Sequence, residues 1–430
     1  MITEAPQDAR PTRIPDETPA TVGRGATRPR PSRSVPVLMA LCAALIAFNA
    51  WWYWRDTRDV ASTAAIEAMM NRQQYARAES SLRERLRRSS RDVEARLLLA
   101  RTLGAGGDTI GCARQLHEVP AWSPEKPEAV FREGQSYLMA DRAKDAEACW
   151  LGLVEDDPLH PTPPEILGAA SQQLLGLYAT ENRWEDAARV IWETYDRAGP
   201  DDRLALLSMR VKSELERIAP EAAMPILERY VAADPTDWEA LRARARAEIA
   251  LGRKEDAERD FRACIAGRPE DARAWRDYLS MLHDLGDEAA WAALLAKVPA
   301  SAADEPEIWR FRGLAKEKVG DWAGAAADYR KALELNPYVM ASQYRLAMME
   351  ERQGDRTAAA EHRKAADSLR EARGALRVAF GQMLIAQEAA EKNQQSTPDL
   401  PTAMRRLGAI CGTLGFGRLQ EAFNMLADRS

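Results

Sequence analysis

Two patterns of apolar and polar residues divide the chain. From Val35 to Trp54 run 20 residues without a charge, which as a helix span about 30 Å at 1.5 Å per residue, the hydrocarbon thickness of a bilayer. From about residue 60 to 373 the apolar residues instead recur three and four apart, in short stretches interrupted by Gly, Asp, Asn and Pro. That spacing predicts amphipathic helices joined by tight turns. In "PEIWRFRGLAKEKVGDWAGAAADYRKALELNP", Pro306 to Pro337, Trp309, Gly313 and the aliphatic stem of Lys316 share one helical face. Gly320-Asp321 breaks the helix, Ala325, Tyr329 and Ala332 form the inner stripe of a second, and Asn336-Pro337 ends it.

This unit is one of a series. Pro124, Pro158, Pro235, Pro269 and Pro337 are separated by 34, 77, 34 and 68 residues, multiples of 34 except for an excess of nine. Units starting at Val93, Pro127, Leu204, Trp238, Ala272, Pro306 and Met340 fall into one register. Their eighth residues are Ala100, Gly134, Val211, Ala245, Leu279, Gly313 and Ala347; their twentieth are Cys112, Ala146, Ala223, Ala257, Trp291, Ala325 and Ala359. Mostly small residues thus recur where two helices must approach closely. The nine extra residues are expected at "DDPLHPTPPE", and "LLGLYATENRWEDAARVIW" is a unit with a slipped register. A weaker unit begins near Val60, with Tyr75, Ala78 and Leu82 in second-helix places. After Gly374 the pattern decays. "GALRVAFGQMLIAQEAAEK" looks like a first helix with Gly381 in the eighth place, "NQQSTPD" is a linker, and the remainder reads as a closing helical hairpin.

An aromatic and a small residue in the first helix, then Ala, aromatic, Ala and a final Pro, resemble the tetratricopeptide repeat (TPR) family over about residues 60 to 373. The resemblance implies an all-α fold, a TPR-type α-solenoid of about nine to ten helical hairpins. It is expected over 59–373, with capping helices over 374–430. In TPR proteins residues 2, 5, 9 and 12 of each first helix line a concave channel that holds peptides. Those places carry Arg242, Arg246, Arg273, Arg276 and Arg310, with fewer acids nearby, Glu239, Glu307 and Glu317. Guanidinium groups grip carboxylates in bidentate fashion, and the stripe resembles loosely the carboxylate-clamp TPR domains, which use Lys and Asn instead. The alternatives are a site for acidic segments and a solvated stripe paired with its own acids. Upstream the same face offers Leu97, Phe131, Leu138 and Met139, either an apolar groove for an amphipathic segment or residues packing on the neighbouring repeat.

The uncharged run is read as a retained transmembrane helix, 35–54. Arg24, Arg28, Arg30 and Arg33 precede it without an acid, whereas Arg55-Asp56-Thr57-Arg58-Asp59 nets to zero. By the positive-inside rule the N-terminus stays in the cytoplasm and the solenoid is extracytoplasmic. Trp51, Trp52, Tyr53 and Trp54 suit the lipid–water boundary. Phe48-Asn49-Ala50 fails the small-residue requirement of a signal-peptidase site at its third-last position, and Leu41 before Cys42 does not suit lipidation. Residues 1–34, with six prolines, predict a disordered tail.

Composition narrows the function. Sixty Lys and Arg against 66 Asp and Glu give no general affinity for nucleic acid. The five cysteines are far apart and His117, His160, His283 and His362 are scattered, so neither metal, disulfide nor catalytic spacing is present and no cofactor is expected. The expectation is a membrane-anchored, non-enzymatic scaffold or adaptor that binds protein partners in its groove, an envelope assembly or chaperone-like factor. The second reading is a cytosol-facing import or chaperone receptor, and a distant third is a TPR-linked transferase.

Overall fold

The computed structural model describes residues 39, 42–51, 61–155, 161–392 and 398–429. They fall into two units, Met1–Ala61 and Ser62–Ser430. In the first, residues 42–51 are helical and Leu45, Ile46, Phe48 and Trp51 are exposed. The expected transmembrane helix, 35–54, therefore lies partly outside the described residues, and the tail, 1–34, wholly outside them. Among the described residues no helix is long and apolar enough to cross a membrane.

The second unit is built of paired helices, with no strand among the described residues. The first pairs are α1 (Thr63–Asn71) with α2 (Tyr75–Arg88), α3 (Val93–Ala105) with α4 (Thr109–His117), and α5 (Lys126–Met139) with α6 (Ala143–Val154). Then come α7 (Pro164–Glu181) with α8 (Trp184–Arg197), α9 (Pro200–Leu215) with α10 (Pro220–Ala233), and α11 (Trp238–Ala250) with α12 (Lys254–Gly267). The last are α13 (Ala272–Asp284) with α14 (Glu288–Leu295), α15 (Pro306–Lys318) with α16 (Trp322–Leu335), α17 (Met340–Gln353) with α18 (Arg356–Glu391), and α19 (Leu400–Thr413) with α20 (Gly417–Ala427).

The turn inside a hairpin is set by two residues. Gly107, Gly252, Gly286, Gly320 and Gly354, fifteenth in their units, have φ between 70 and 90°, a left-handed conformation that costs a residue with a Cβ about 1–2 kcal/mol. After each of these except Gly252, which Arg253 follows, an Asp caps the second helix. Carboxylates of Asp108, Asp287, Asp321 and Asp355 accept from the backbone N–H three residues on, at 2.7, 3.2, 2.9 and 3.0 Å. Asp141 and Asn182 take the left-handed place elsewhere. They are 41 residues apart, not 34, and Asn182 and Gly252 are 70 apart, not 68. The nine-residue excess is thus split: seven fall in the interval that contains "DDPLHPTPPE", of which 156–160 lie outside the described residues, and two fall later.

Close approach occurs where the repeat register placed it. A Cβ on Gly134 would lie 2.4 Å from Nε1 of Trp150, and one on Gly313 would lie 2.7 Å from the Tyr329 ring. Ala146, Ala257 and Ala325, each twentieth in its unit, are fully buried.

The expected boundary at 373/374 does not hold as a break between elements. α18 runs unbroken through Gly374 for 36 residues, because neither a Gly-Asp pair nor a Pro interrupts it and a lone Gly costs only about 1 kcal/mol. Its stripe of Leu369, Ala372, Leu376, Phe380 and Met383 stays buried across the position. The closing hairpin also does more than cover the last repeat. Leu376, Phe380, Met383, Leu407 and Phe423 share one core cluster with Tyr195, Leu207 and Val211 of α8 and α9. Arg377 donates to the carbonyl of Leu215 at 2.8 Å, and Arg418 pairs with Asp196 at 2.5 Å.

Candidate functional site

The concave positions of the first helices form two surfaces of different chemistry. The first belongs to α1, α3 and α5. Thr63 and Glu67, then Glu94, Leu97, Arg101 and Gly104, then Glu128 and Gln135 line an open groove of about 740 Å³, with Leu98, Ala105, Leu116 and Met139 adding apolar surface. Met139 is 74% exposed. The rim carries Glu67, Glu94, Glu125 and Glu128 against Arg101 and Arg132. Arg132 pairs with Glu128 at 2.6 Å, Arg101 reaches Glu67 at 3.9 Å and Arg85 pairs with Glu94 at 2.7 Å, while Glu125 accepts from the Ser123 hydroxyl. Leu97 lies in this groove. Phe131 and Leu138 do not line it; they are half-buried against the core cluster of α6, α7 and α8.

The second surface carries the arginines of α11, α13 and α15. Arg242, only 3% exposed, donates to Glu239 at 2.6 Å and to Asp277 at 3.1 Å. Arg273 donates to Glu239 at 2.6 Å, and Arg276 to Asp277 at 3.0 Å and Glu305 at 3.2 Å. Arg310 pairs with Glu307 and lies over the Phe311 ring, 4.4 Å from its centroid. Three of these residues also reach a segment from a distant hairpin. Arg246 donates to the carbonyl of Asn182 at 3.0 Å, Arg273 to the Asp186 carboxylate at 3.0 Å, and Arg276 lies 3.8 Å from Glu185. The α7–α8 turn therefore sits on the arginine stripe of α11 and α13.

The turn has its own hub. Arg183 donates to Glu147 of α6 at 2.7 and 2.8 Å, to Glu181 at 2.9 Å and to Asp186 at 2.8 Å, and lies 4.5 Å from the Tyr178 ring centroid. Tyr178 donates to Glu147 at 2.9 Å. Several carboxylates converge on one guanidinium, so they do not all gain equally. Burial pushes the Glu181 carboxyl up to about 8, with Asp237 and Glu147 adding repulsion. Burial also opposes charge on Asp186, Glu239 and Asp277, but the arginines around them outweigh it and hold all three below the usual carboxylate range. No sequence signal pointed to this partner, since 91 residues separate Glu185 from Arg276 and the register slips upstream of the turn.

Another cavity, about 830 Å³, lies on the flank of α5 and α6 between Trp122, Tyr137, Cys149 and Pro161–Pro163. His117 Nδ1 is 2.9 Å from buried Glu133 in its wall. Burial and Glu133 push the Cys149 thiol up to about 12, so it is no thiolate nucleophile at neutral pH. Burial pushes Cys264 and Cys411 to about 12 as well. Among the described residues no group of three His, Cys, Asp or Glu is arranged to hold a metal ion.

No curated protein matches the chain in sequence. Among solved structures, it is similar to the MamA fragment 41-end from Desulfovibrio magneticus RS-1, at 23% identity over 39% of this chain and 94% of that one, with a TM-score of 0.31. It is also similar to human IFIT1, solved as a dimer with m7Gppp-AAAA, at 13% identity over 79% and 90% of the two chains, with a TM-score of 0.34. Residues 306–338 match the tetratricopeptide repeat family, so the unit with the clearest pattern is a tetratricopeptide repeat.

Proposed function

We propose that the protein is a scaffold that binds other proteins, and that its accepting surface is the groove of α1, α3 and α5. One observation carries the reading: among the described residues, no other segment of the chain lies in this part of the concave face, which presents Leu97 and Met139 beside Glu67, Glu94, Glu125 and Glu128. An amphipathic helix with an apolar face and flanking Lys or Arg complements it in shape and charge. Chemistry of its own is not part of the reading. Residues 35–54 act as a single-pass anchor of the cytoplasmic membrane, with the solenoid on the extracytoplasmic side, in envelope assembly or chaperone-like work. Arg24, Arg28, Arg30 and Arg33 favour this over a cytosol-facing receptor.

The test is in-cell crosslinking from a photoreactive residue at Gln135, with and without Leu97→Glu. The expected result is a crosslinked partner that the Leu97→Glu chain loses while keeping its helical circular dichroism. Undiminished crosslinking sinks the groove assignment. A reporter fused after Ser430 and active only in the cytoplasm is expected to stay silent; its activity would reverse the topology.

A further inference from the structure

Downstream of Gly374, α18 is apolar on two sides. From Gly374 to Ala390 only Arg377 and Glu388 are charged. One side, with Leu376, Phe380 and Met383, is buried in the core shared with α9, α19 and α20. On the other, Val378 is 60%, Leu384 42% and Ile385 66% exposed. A helix that is apolar all round is normally covered all round, and large apolar side chains left together in solvent mark an interaction surface. We propose that this open face is a self-association surface, on which α18 of a second copy packs antiparallel about a two-fold axis beside Gly381. The proposal goes beyond the scaffold reading and does not depend on it.

Spacing and charge select the occupant. Gly374, Val378, Gly381 and Ile385 follow one another at four, three and four residues, a single stripe along the helix. A Cβ on either glycine would meet nothing within 4 Å, so a second backbone can approach closely there. The two-fold then sets Val378 of one copy on Ile385 of the other, and Gly374 on Ala389. Charge fixes the direction. Arg370, Glu371 and Arg377 flank the N-terminal half of the stripe, and Glu388, Glu391 and Lys392 the C-terminal half. Antiparallel packing puts Glu388 beside Arg377, Glu391 beside Arg370 and Lys392 beside Glu371, each pair made twice by symmetry. Parallel packing would set every one of these charges beside its own copy and align the helix dipoles. Within one chain, Arg370 pairs with Asp367 at 2.6 Å and Lys392 with Glu388 at 2.5 Å, both on the surface and so easily exchanged. Arg377 donates from one nitrogen to the Leu215 carbonyl and keeps further donors. This reversal of charge along one stripe suits a copy of the same helix better than a lipid surface.

Sedimentation of the full chain in detergent micelles, at micromolar concentration, is expected to give a dimer. Val378→Glu with Ile385→Glu is expected to give a monomer that melts like the unaltered chain. A monomeric unaltered chain overturns the proposal, whether the stripe then takes up lipid or another protein, and so does a double variant that stays dimeric. Should the double variant not fold, disulfide crosslinking decides. Val378→Cys and Ile385→Cys copies, each also carrying Cys42→Ser, are co-expressed and oxidised. The antiparallel two-fold predicts disulfides between unlike copies and few between like ones. Equal crosslinking of like and unlike copies, or none, overturns the proposal. Crosslinking from Gln135 reads the α1–α5 groove alone, so that groove and the α18 face fail separately.

Discussion

The concave faces of α3 and α11 occupy equivalent places in the repeat and have opposite fates. In α3, Leu97 and Arg101 look onto an open groove. In α11, Arg242 and Arg246 stand at the same fifth and ninth positions, and the face is filled by buried carboxylates and by the α7–α8 turn. A buried guanidinium needs partners on its donors, and here the fold supplies them from another hairpin. A half-buried leucine needs none and can wait for a partner protein. Chemistry at the fifth position therefore separates the surface that closes on its own chain from the one left available.

The largest contrast is expected in stability. Arg183→Ala removes the buried guanidinium that Glu147, Glu181 and Asp186 share, leaving Glu147 with the Tyr178 hydroxyl and Asp186 with Arg273, and should cost about 3–5 kcal/mol in urea unfolding. Arg101→Ala, at an exposed pair across the open groove, should cost less than about 1 kcal/mol. Equal costs would erase the distinction. Next in size, Leu97→Glu should weaken partner binding at least tenfold, about 1.4 kcal/mol, whereas Arg246→Gln should leave binding at the α1–α5 groove unchanged in the same titration.

A smaller effect concerns pH. Glu181 has an ordinary value near 4.5 and holds its proton in the fold up to about 8, so its contribution to stability is complete below about pH 4.5 and is lost as pH rises towards 8. Glu248, pushed up to about 7 mainly by burial, acts in the same direction. Asp186, Glu239 and Asp277, held low, act in the opposite sense, with stability lost only in acid, below their ordinary range. Glu181→Gln should accordingly flatten part of the fall in Tm between pH 5 and 8 without altering the acid limb. An unchanged slope would show that Glu181 does not carry the proton.

The sequence made the hairpins legible because each turn is a local event. A left-handed Gly, a capping Asp and a small residue facing an aromatic all act within one 34-residue unit, as Gly313, Gly320, Asp321 and Tyr329 show. The unbroken α18 was not legible, because a single Gly374 is a weak signal whose outcome depends on packing against α9 and α19. The arginines of the stripe and Leu97 both lie on first-helix faces, where the register put them. What fills the stripe was hidden. Asp186 and Arg273 meet only because seven extra residues ahead of Asn182 and two after it set where the α7–α8 turn falls, and no local pattern encodes such a long-range contact. Phe131 and Leu138 were ambiguous for a related reason: whether a concave-position side chain stays free depends on the next repeat.

The occupied face is tested most directly by a double-mutant cycle on Asp186 and Arg273, with Asp186→Asn, Arg273→Gln and their combination compared by urea unfolding of the full chain. A 3.0 Å ion pair shielded by α7, α8 and α11 predicts a coupling energy of about 1–3 kcal/mol. Additive costs, within about 0.5 kcal/mol, would mean that the turn does not sit on the arginine stripe.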